Sequence, residues 1–459
     1  MENKVNPPRP PTLNSIPSLL STLQSEWDSL ILETHTLRQQ YINGRKDLAH
    51  ALYQVDAAHR VIARLMLERD QARDALSNIQ ANLGVTTTQQ PSEQTANNDD
   101  VDMKDDSNSS IPNEVLSNID TVAAELSSER KKRKIPEGVA NIDEVKSFKN
   151  KESLPSFHSS SPAGVTSTDI SKDGNLLLTG GNDKHVQIYD RTQSKSIATL
   201  KGHTKKVNTV EFREKDGHNP LVISGGDKRV RVYGEDQTKG WKLQGEFKNR
   251  SSGEVTDLKV HPTKDYILSV GTDQQWSFHD VTSLDTVIDV GPQEGENGDF
   301  EYRSMDIHPD GQIFGTGTQS GICRIWDIRS GKIAANFESP SQASNLNSLS
   351  FSENGYYLAG SFESSPVVEI FDLRKLKSVH SIQFEDGISS PLNVKFDPSA
   401  QFLAVGGHDV RIFTNKKWDE ISRFEDNANL IQSLSWGVGS HELITSGLDR
   451  TVRFYGAYK

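Results

Sequence analysis

One apolar pattern recurs seven times between residues 165 and 436, and it constrains the fold more than any other feature of the chain. The copies are VTSTDI ending at Ile170, VNTVEF at Phe212, VTDLKV at Val260, YRSMDI at Ile307, LNSLSF at Phe351, PLNVKF at Phe396 and IQSLSW at Trp436, spaced by 42, 48, 47, 44, 45 and 40 residues. A second set follows each of them: VQIYD, VRVYG, WSFHD, CRIWD, VEIFD, VRIFT and VRFYG, ending at Asp190, Gly234, Asp280, Asp327, Asp372, Thr414 and Gly456. Alternating short strands at a period near 44, with turn pairs such as Asp173-Gly174, Asp310-Gly311 and Asn354-Gly355, mark the blades of a β-propeller. Seven units predict seven blades. The chain stops three residues after the last VRFYG, so the seventh blade lacks an outermost strand of its own. An open edge invites aggregation, and the stretch near Ser156-Phe157-His158 is the expected segment that pairs with the last blade and closes the ring.

The N-terminal part keeps a different period. Every seventh residue from Leu20 reads Leu20, Trp27, Thr34, Tyr41, Leu48, Val55, Ile62, Arg69, Leu76, and from Leu23 it reads Leu23, Leu30, Leu37, Gly44, Ala51, Ala58, Leu65, Ala72, Ile79; fifteen of these eighteen positions are apolar. An a/d repeat of that length predicts one long helix over 15–82, about 100 Å at ~1.5 Å per residue. One helix cannot bury its own seam, and the chain offers no second helix of matching length, so the expectation is self-association through Leu23, Trp27, Leu30, Leu37, Tyr41, Leu48, Val55, Ile62 and Leu65. Trp27 and Tyr41 are wide for a two-stranded seam, which points to more than two helices. The architecture expected is therefore α plus all-β: a Pro-rich spacer at 1–14, an oligomerising coiled coil at 15–82, a tether at 83–152 and a seven-bladed propeller at 153–459.

Residues 84 to 129 hold ten carboxylates against Lys104 alone, so most of the net charge of −12 sits in one segment. The rest of the chain is nearly balanced and shows no overall drive towards nucleic acid. With few apolar side chains, 84–112 reads as a disordered tether. Val115, Ile119, Val122 and Leu126 then repeat at helical spacing and lead into Arg130, Lys131, Lys132, Arg133 and Lys134. That block has two compatible readings, a solvated helix C-terminus where positive charge suits the dipole and a nuclear import signal.

No window approaches the roughly 18 to 20 apolar residues of a membrane span and the N-terminus lacks the apolar run of a signal peptide. A soluble, intracellular chain is expected. The lone Cys323 excludes an intrachain disulfide and a Cys-rich zinc site. His203, Ser224 and Asp227 stand in the order of a catalytic triad, but they fall in one repeat as the internal hydrogen-bond chain of a WD-repeat blade, and the aspartate recurs as Asp183, Asp273 and Asp449. Recurrence argues for architecture. Gly315, Gly317 and Gly321 lie between two strands rather than before a helix, so they lack the phosphate-cradling context. The sequence predicts no catalytic residue, cofactor or metal site in the propeller, which leaves its loops to hold partners.

Several stretches carry a resemblance: HALYQVDAAHRVIARL (50–65), SERKKRK (128–134), LKGHTKKV (200–207), HPDGQIFGTGT (308–318), FSENGYYLA (351–359) and DLRKLK (372–377). They resemble the pre-mRNA-processing-factor-nineteen family, the U-box ubiquitin ligases that give the spliceosomal NineTeen complex its name. The resemblance implies a nuclear homotetramer that serves splicing and DNA repair. It also implies a coiled coil docking other complex subunits, including a Myb-like splicing factor, and a propeller receiving substrates or partners of the spliceosomal particle. The family's U-box recruits the ubiquitin-conjugating enzyme and precedes a Pro-rich spacer like Pro7 to Pro11, where this chain begins. Two expectations follow, a sequence incomplete at its start, which is favoured, or a scaffold without ligase activity. Either way, this chain alone is expected to build no ubiquitin chains. The architecture by itself also fits a transcriptional corepressor with a tetramerising helix and a WD-repeat propeller.

Overall fold

The computed structural model describes residues 111–132 and 138–457, apart from residue 160 and the stretches 237–239, 249–252, 293–300, 340–343, 364 and 385–390. The chain divides into two units, Met1–Met103 and Lys104–Lys459. In the first, only Gln24 and Trp27 are described, both helical. The coiled coil expected over 15–82 otherwise lies outside the described residues.

The second unit is a seven-bladed propeller of four-stranded antiparallel sheets, built from twenty-eight described strands. In the first blade, β2 (Val165–Ile170), β3 (Leu176–Gly181), β4 (Val186–Asp190) and β5 (Lys195–Leu200) follow one another outward. The innermost strands β2, β6 (Thr209–Arg213), β10 (Val255–Val260), β14 (Tyr302–Ile307), β18 (Leu346–Phe351), β22 (Asn393–Phe396) and β26 (Ile431–Trp436) contact one another around the axis. They are the seven copies of the sequence pattern. Their apolar residues enter clusters that lie between successive blades, as where Val230, Val232 and Phe247 of the second blade meet Val255, Leu258 and Ile267 of the third.

Six of the seven innermost strands also pass side-chain oxygens to the next, and the seventh, β22, donates the Asn393 side-chain amide to the Gln432 carbonyl at 2.9 Å. Asp169 accepts the Phe212 N–H at 2.7 Å, Glu211 the Val260 N–H at 2.9 Å, Asp306 the Phe351 N–H at 2.7 Å and Ser350 the Phe396 N–H at 3.0 Å. A second tier runs two residues earlier, from Ser167 to Val210, Asp257 to Met305, Ser348 to Val394 and Ser433 to Thr168. Burial and the neighbouring Glu211 push the Asp169 carboxyl up to about 6. Lys259 sits among Glu211, Asp257, Asp306 and Asp169, whose charges outweigh the effect of its burial and raise its ammonium.

The ring closes on β1 (Lys149–Leu154), which pairs with β28 (Val452–Gly456) as the outermost strand of the last blade. The register runs from Lys149 opposite Gly456 to Leu154 opposite Val452, with an irregularity between Asn150 and Glu152. The closing strand thus precedes the expected segment, and the propeller begins at 149 rather than 153. Phe157 instead packs against Val452 and Phe454 as part of the core, and His158 belongs to the first blade's own hydrogen-bond chain.

On the face formed by the turns after each innermost and each third strand, here the lower face, the segment before β1 crosses several blades. Helix α1 (Asn113–Lys132) buries Ile119 beside Ile111, Tyr266, Ile307 and Ile328 and pairs Asp120 with Arg329 and Arg130 with Asp310. Helix α2 (Ile142–Lys146), capped by Asn141 on the Glu144 N–H at 2.8 Å, buries Val145 with Ala140 and Phe148 against Trp436, Leu443 and Tyr455. His441 holds this segment through Glu144 Oε1 at 2.8 Å and the Gly138 carbonyl at 2.9 Å. Two buried histidines stitch neighbouring turns of the same face, His261 to the Gly311 carbonyl at 2.7 Å and His308 to the Gly355 carbonyl at 3.3 Å.

Two expected outcomes follow. Deleting residues 149–154 removes a paired strand whose hydrogen bonds contribute about 1 kcal/mol each, so the melting temperature should drop by about 10 °C; calorimetry showing an unchanged midpoint would place the closure elsewhere. Burial holds His203, His261 and His308 at about 4 and His279 at about 3. Their folded values lie below the unfolded 6.5, so the stability they confer is complete above pH 6.5 and is lost as pH falls towards 4. Asp169, raised to about 6, and Asp257 and Asp273, raised chiefly by burial, act in the opposite direction, while burial lowers His158 and adds it to the four histidines. The melting temperature should therefore fall by at least about 5 °C between pH 7 and pH 5, and a flat profile would refute the neutral-histidine assignment.

Candidate functional site on the propeller faces

The triad-like set is brought together in the second blade. His203 Nε2 lies 2.7 Å from Ser224 Oγ and Nδ1 lies 3.3 Å from Asp227 Oδ1. A fourth residue defines the chemistry. Arg231 Nη1 stands 2.6 Å from His203 Nδ1 and 2.9 Å from Asp227 Oδ1. A guanidinium only donates, so His203 accepts at Nδ1 and carries its proton on Nε2, where it donates to Ser224. Burial first, and then the charge of Arg231, push the imidazole down to about 4. Asp227, although buried, is held at about 2 by Arg231 and the Thr204 N–H. Ser224 is fully buried. A hidden hydroxyl and a base whose accepting nitrogen is occupied by arginine make this a girder, which fixes the 201–206 loop on the upper face.

The first blade repeats the set with threonine in place of serine: His158 Nδ1 is 2.9 Å from Asp183 and Nε2 3.0 Å from Thr179 Oγ1. Asp449 pairs with Arg453 at 2.7 Å, as Asp227 does with Arg231. Sequence reasoning missed Arg231, although the signal was present in the recurring Asp-x-x-x-Arg of DKRVR and DRTVR. Asp273 accepts the Gln275 N–H at 3.3 Å. The glycines of GTGTQSG serve packing: a Cβ on Gly317 would lie 2.5 Å from Ser304 Oγ, and Gly321 turns with φ +85°.

The lower face carries a groove of about 930 Å³ between α1, the start of α2 and the turns of the fourth to sixth blades. Its lining includes Asn354, Tyr356, Arg374, Gln401 and Lys416. Arg374 lies over the Tyr356 ring at 4.3 Å, and Tyr356 remains 46% exposed. Leu376 and Val379 are exposed beside it on the same blade, amid the exposed Lys375, Lys377 and Lys417. Arginine stacked on an exposed ring, with apolar neighbours and a polar rim, is the composition of a protein-docking surface. His308 in the groove wall is neutral by burial, accepts the Asp310 N–H at 3.2 Å and faces the Gly355 carbonyl, so it offers no free base. Among the described residues no cluster of three or more His, Cys, Asp or Glu is placed to hold a metal ion.

Of the basic block, Arg130 is 14% exposed in its pair with Asp310, Lys131 and Lys132 end α1, and Arg133 and Lys134 lie outside the described residues. The seam residues other than Trp27 lie outside them too.

Comparison with known proteins extends these observations to the whole chain. The Prp19/Pso4-like family model matches residues 12–79, and the WD domain, G-beta repeat model matches 151–190, 194–234 and 296–327. Pre-mRNA-processing factor 19 of Mus musculus is 36% identical over 457 residues, covering 98% of this chain and 87% of the relative. The Caenorhabditis elegans protein of that name is 34% identical over 452 residues, with the same two coverages. Pre-mRNA-processing factor 19 homolog 2 of Arabidopsis thaliana is 33% identical over 465 residues, covering 98% and 86%. Identity of 33–36% covering 98% of the chain places it in the pre-mRNA-processing factor 19 family.

Proposed function

We propose that the chain is a scaffold of the ubiquitin-ligase type in the NineTeen complex, acting in pre-mRNA splicing and DNA repair. The observation that carries this reading is the end-to-end similarity, 36% identity across 98% of the chain. The corepressor architecture loses to it, because that alternative rests on domain order alone.

In this reading residues 15–82 form a homotetrameric coiled coil that docks other complex subunits, a Myb-like splicing factor among them. The propeller's lower face holds substrates or partners. Tyr356 and Arg374 are its natural anchors, since a large ring and a stacked guanidinium bury area at little conformational cost. The propeller and coil supply proximity, and engagement of a ubiquitin-conjugating enzyme requires a U-box in the same assembly. The basic block at 130–134 directs the assembly to the nucleus, with Arg130 shared between import and its pair with Asp310.

The test is affinity purification of the tagged chain from nuclear extract. Spliceosomal proteins and small nuclear RNAs should co-purify, whereas recovery of histone tails and deacetylases instead would sink the proposal. Replacing Tyr356 by Ala together with Arg374→Glu should cut partner recovery roughly tenfold while the melting temperature holds, because both side chains are exposed. Leu30→Asp places a charge at every helix contact, each costing several kcal/mol. Sedimentation should then show monomers, and retention of the parental mass would assign the apolar stripe to another partner.

A further inference from the structure

The upper face shows a feature that the docking groove does not use. Lys184 at the second turn of the first blade, Lys201, Lys205 and Lys206 in the connection to the second, and Lys228 at the second blade's turn are all exposed. Among the described residues only Lys205 of these five has an ion-pair partner, Glu254. The acids among them are engaged, Asp183 by His158 at 2.9 Å, Asp227 by Arg231 at 2.9 Å and Glu254 by Lys205, whereas Glu301, Glu363, Glu425 and Asp426 lie away on loops of the third to sixth blades. The lysines are also carried on fixed backbone. Thr204 N–H binds Asp227 at 2.9 Å, the Val207 N–H binds the Gly181 carbonyl at 3.1 Å and the Asn208 N–H binds the Gly225 carbonyl at 2.8 Å.

We propose that this rim of the first two blades binds the phosphate backbone of single-stranded RNA. Five ammonium groups are point charges on flexible stems, and the neighbouring Arg229 has its guanidinium engaged by Glu246, so the rim suits a row of phosphates rather than one shaped anion. The large exposed apolar side chains of the propeller's turns, Tyr356 and Leu376, lie on the opposite face, so the rim lacks the anchors that a bound protein segment needs. Among the described residues the rim shows no exposed Phe, Tyr or Trp to stack on a base, so binding is independent of sequence and depends on salt. The site lets the scaffold hold protein on one face and the RNA strand beside it on the other. The choice of RNA over other polyphosphates rests on the splicing reading.

The experiment measures fluorescence anisotropy of a labelled 20-nucleotide uridine RNA with the intact chain across salt concentrations. Four phosphate contacts give a slope of log affinity against log salt of about −3. Lys201→Glu, Lys205→Glu, Lys206→Glu and Lys228→Glu combined should weaken binding more than tenfold and flatten the slope, while the exposed lower-face pair Lys195→Glu and Lys332→Glu should leave both unchanged. Equal loss in the two variants, unchanged affinity in the rim variant, or no binding by the intact chain at 50 mM salt overturns the site. Competition by polyglutamate at the same charge concentration as effective as by RNA also overturns it, in favour of acidic peptides. The rim variant keeps the lower-face groove, so loss of RNA binding with protein partners still recovered isolates this site, whereas failure to recover splicing proteins with the parental chain counts against the splicing reading alone.

Discussion

A ring of sheets depends on its last joint, and here that joint is a hydrogen-bonded ladder between the two ends of the propeller. The cores lie between blades rather than inside them, so a gap at one blade would expose apolar surface on both of its neighbours. β28 is fully buried along its length, and it is β1 that covers it. The strand is delivered by a segment that is itself held: Val145 and Phe148 pack under the last blade, and Ser422 donates to the Val145 carbonyl at 2.9 Å. The lower-face segment thus packs under the same blade that its following strand closes.

The inner tiers solve a different problem. Seven short strands converge on a narrow axis where backbone N–H groups have no sheet neighbour on one side, and an unpaired buried amide costs roughly 1–3 kcal/mol. Side-chain oxygens from the preceding blade satisfy them, and where the acceptor is a carboxylate its charge needs an answer. Lys259 supplies part of it, close to Asp169, Glu211, Asp257 and Asp306. Asp169 keeps a raised pKa because its near neighbour Glu211 adds to the effect of burial.

What the sequence made legible follows from where burial is two-sided. The innermost strands bury apolar residues at recurring positions, as Val255, Leu258 and Val260 do, and most third strands are buried along most of their length, so the apolar residues recur strongly enough to count blades. The α1 helix was legible from Val115, Ile119, Val122 and Leu126, and it spans Asn113–Lys132. The closing strand was misplaced for a physical reason. KNKESL is an outermost strand, exposed at most positions and held by backbone pairing, so it has no apolar alternation. Phe157 supplied the apolar signal instead, and it marks the corner after the strand. The docking groove and the lysine rim were illegible because each gathers residues from turns of different blades, at separations that no local period encodes.

The girders connect that architecture to function. His203, Ser224, Asp227 and Arg231 are buried and mutually neutralised, so they contribute little field of their own at the surface. Their effect is to hold the loop that carries Lys201, Lys205 and Lys206 in one conformation, which reduces the entropy that these lysines lose on meeting a ligand to that of their stems. On the opposite face the histidine stitches do the same for the turns around Tyr356, since His308 pins the Gly355 carbonyl one residue away. Buried polar chains with no chemistry of their own therefore decide how firmly each face presents its charged and aromatic groups. The two faces are built to the same plan but armed differently, one with a cluster of lysines on its first two blades, the other with a ring, a guanidinium and apolar neighbours.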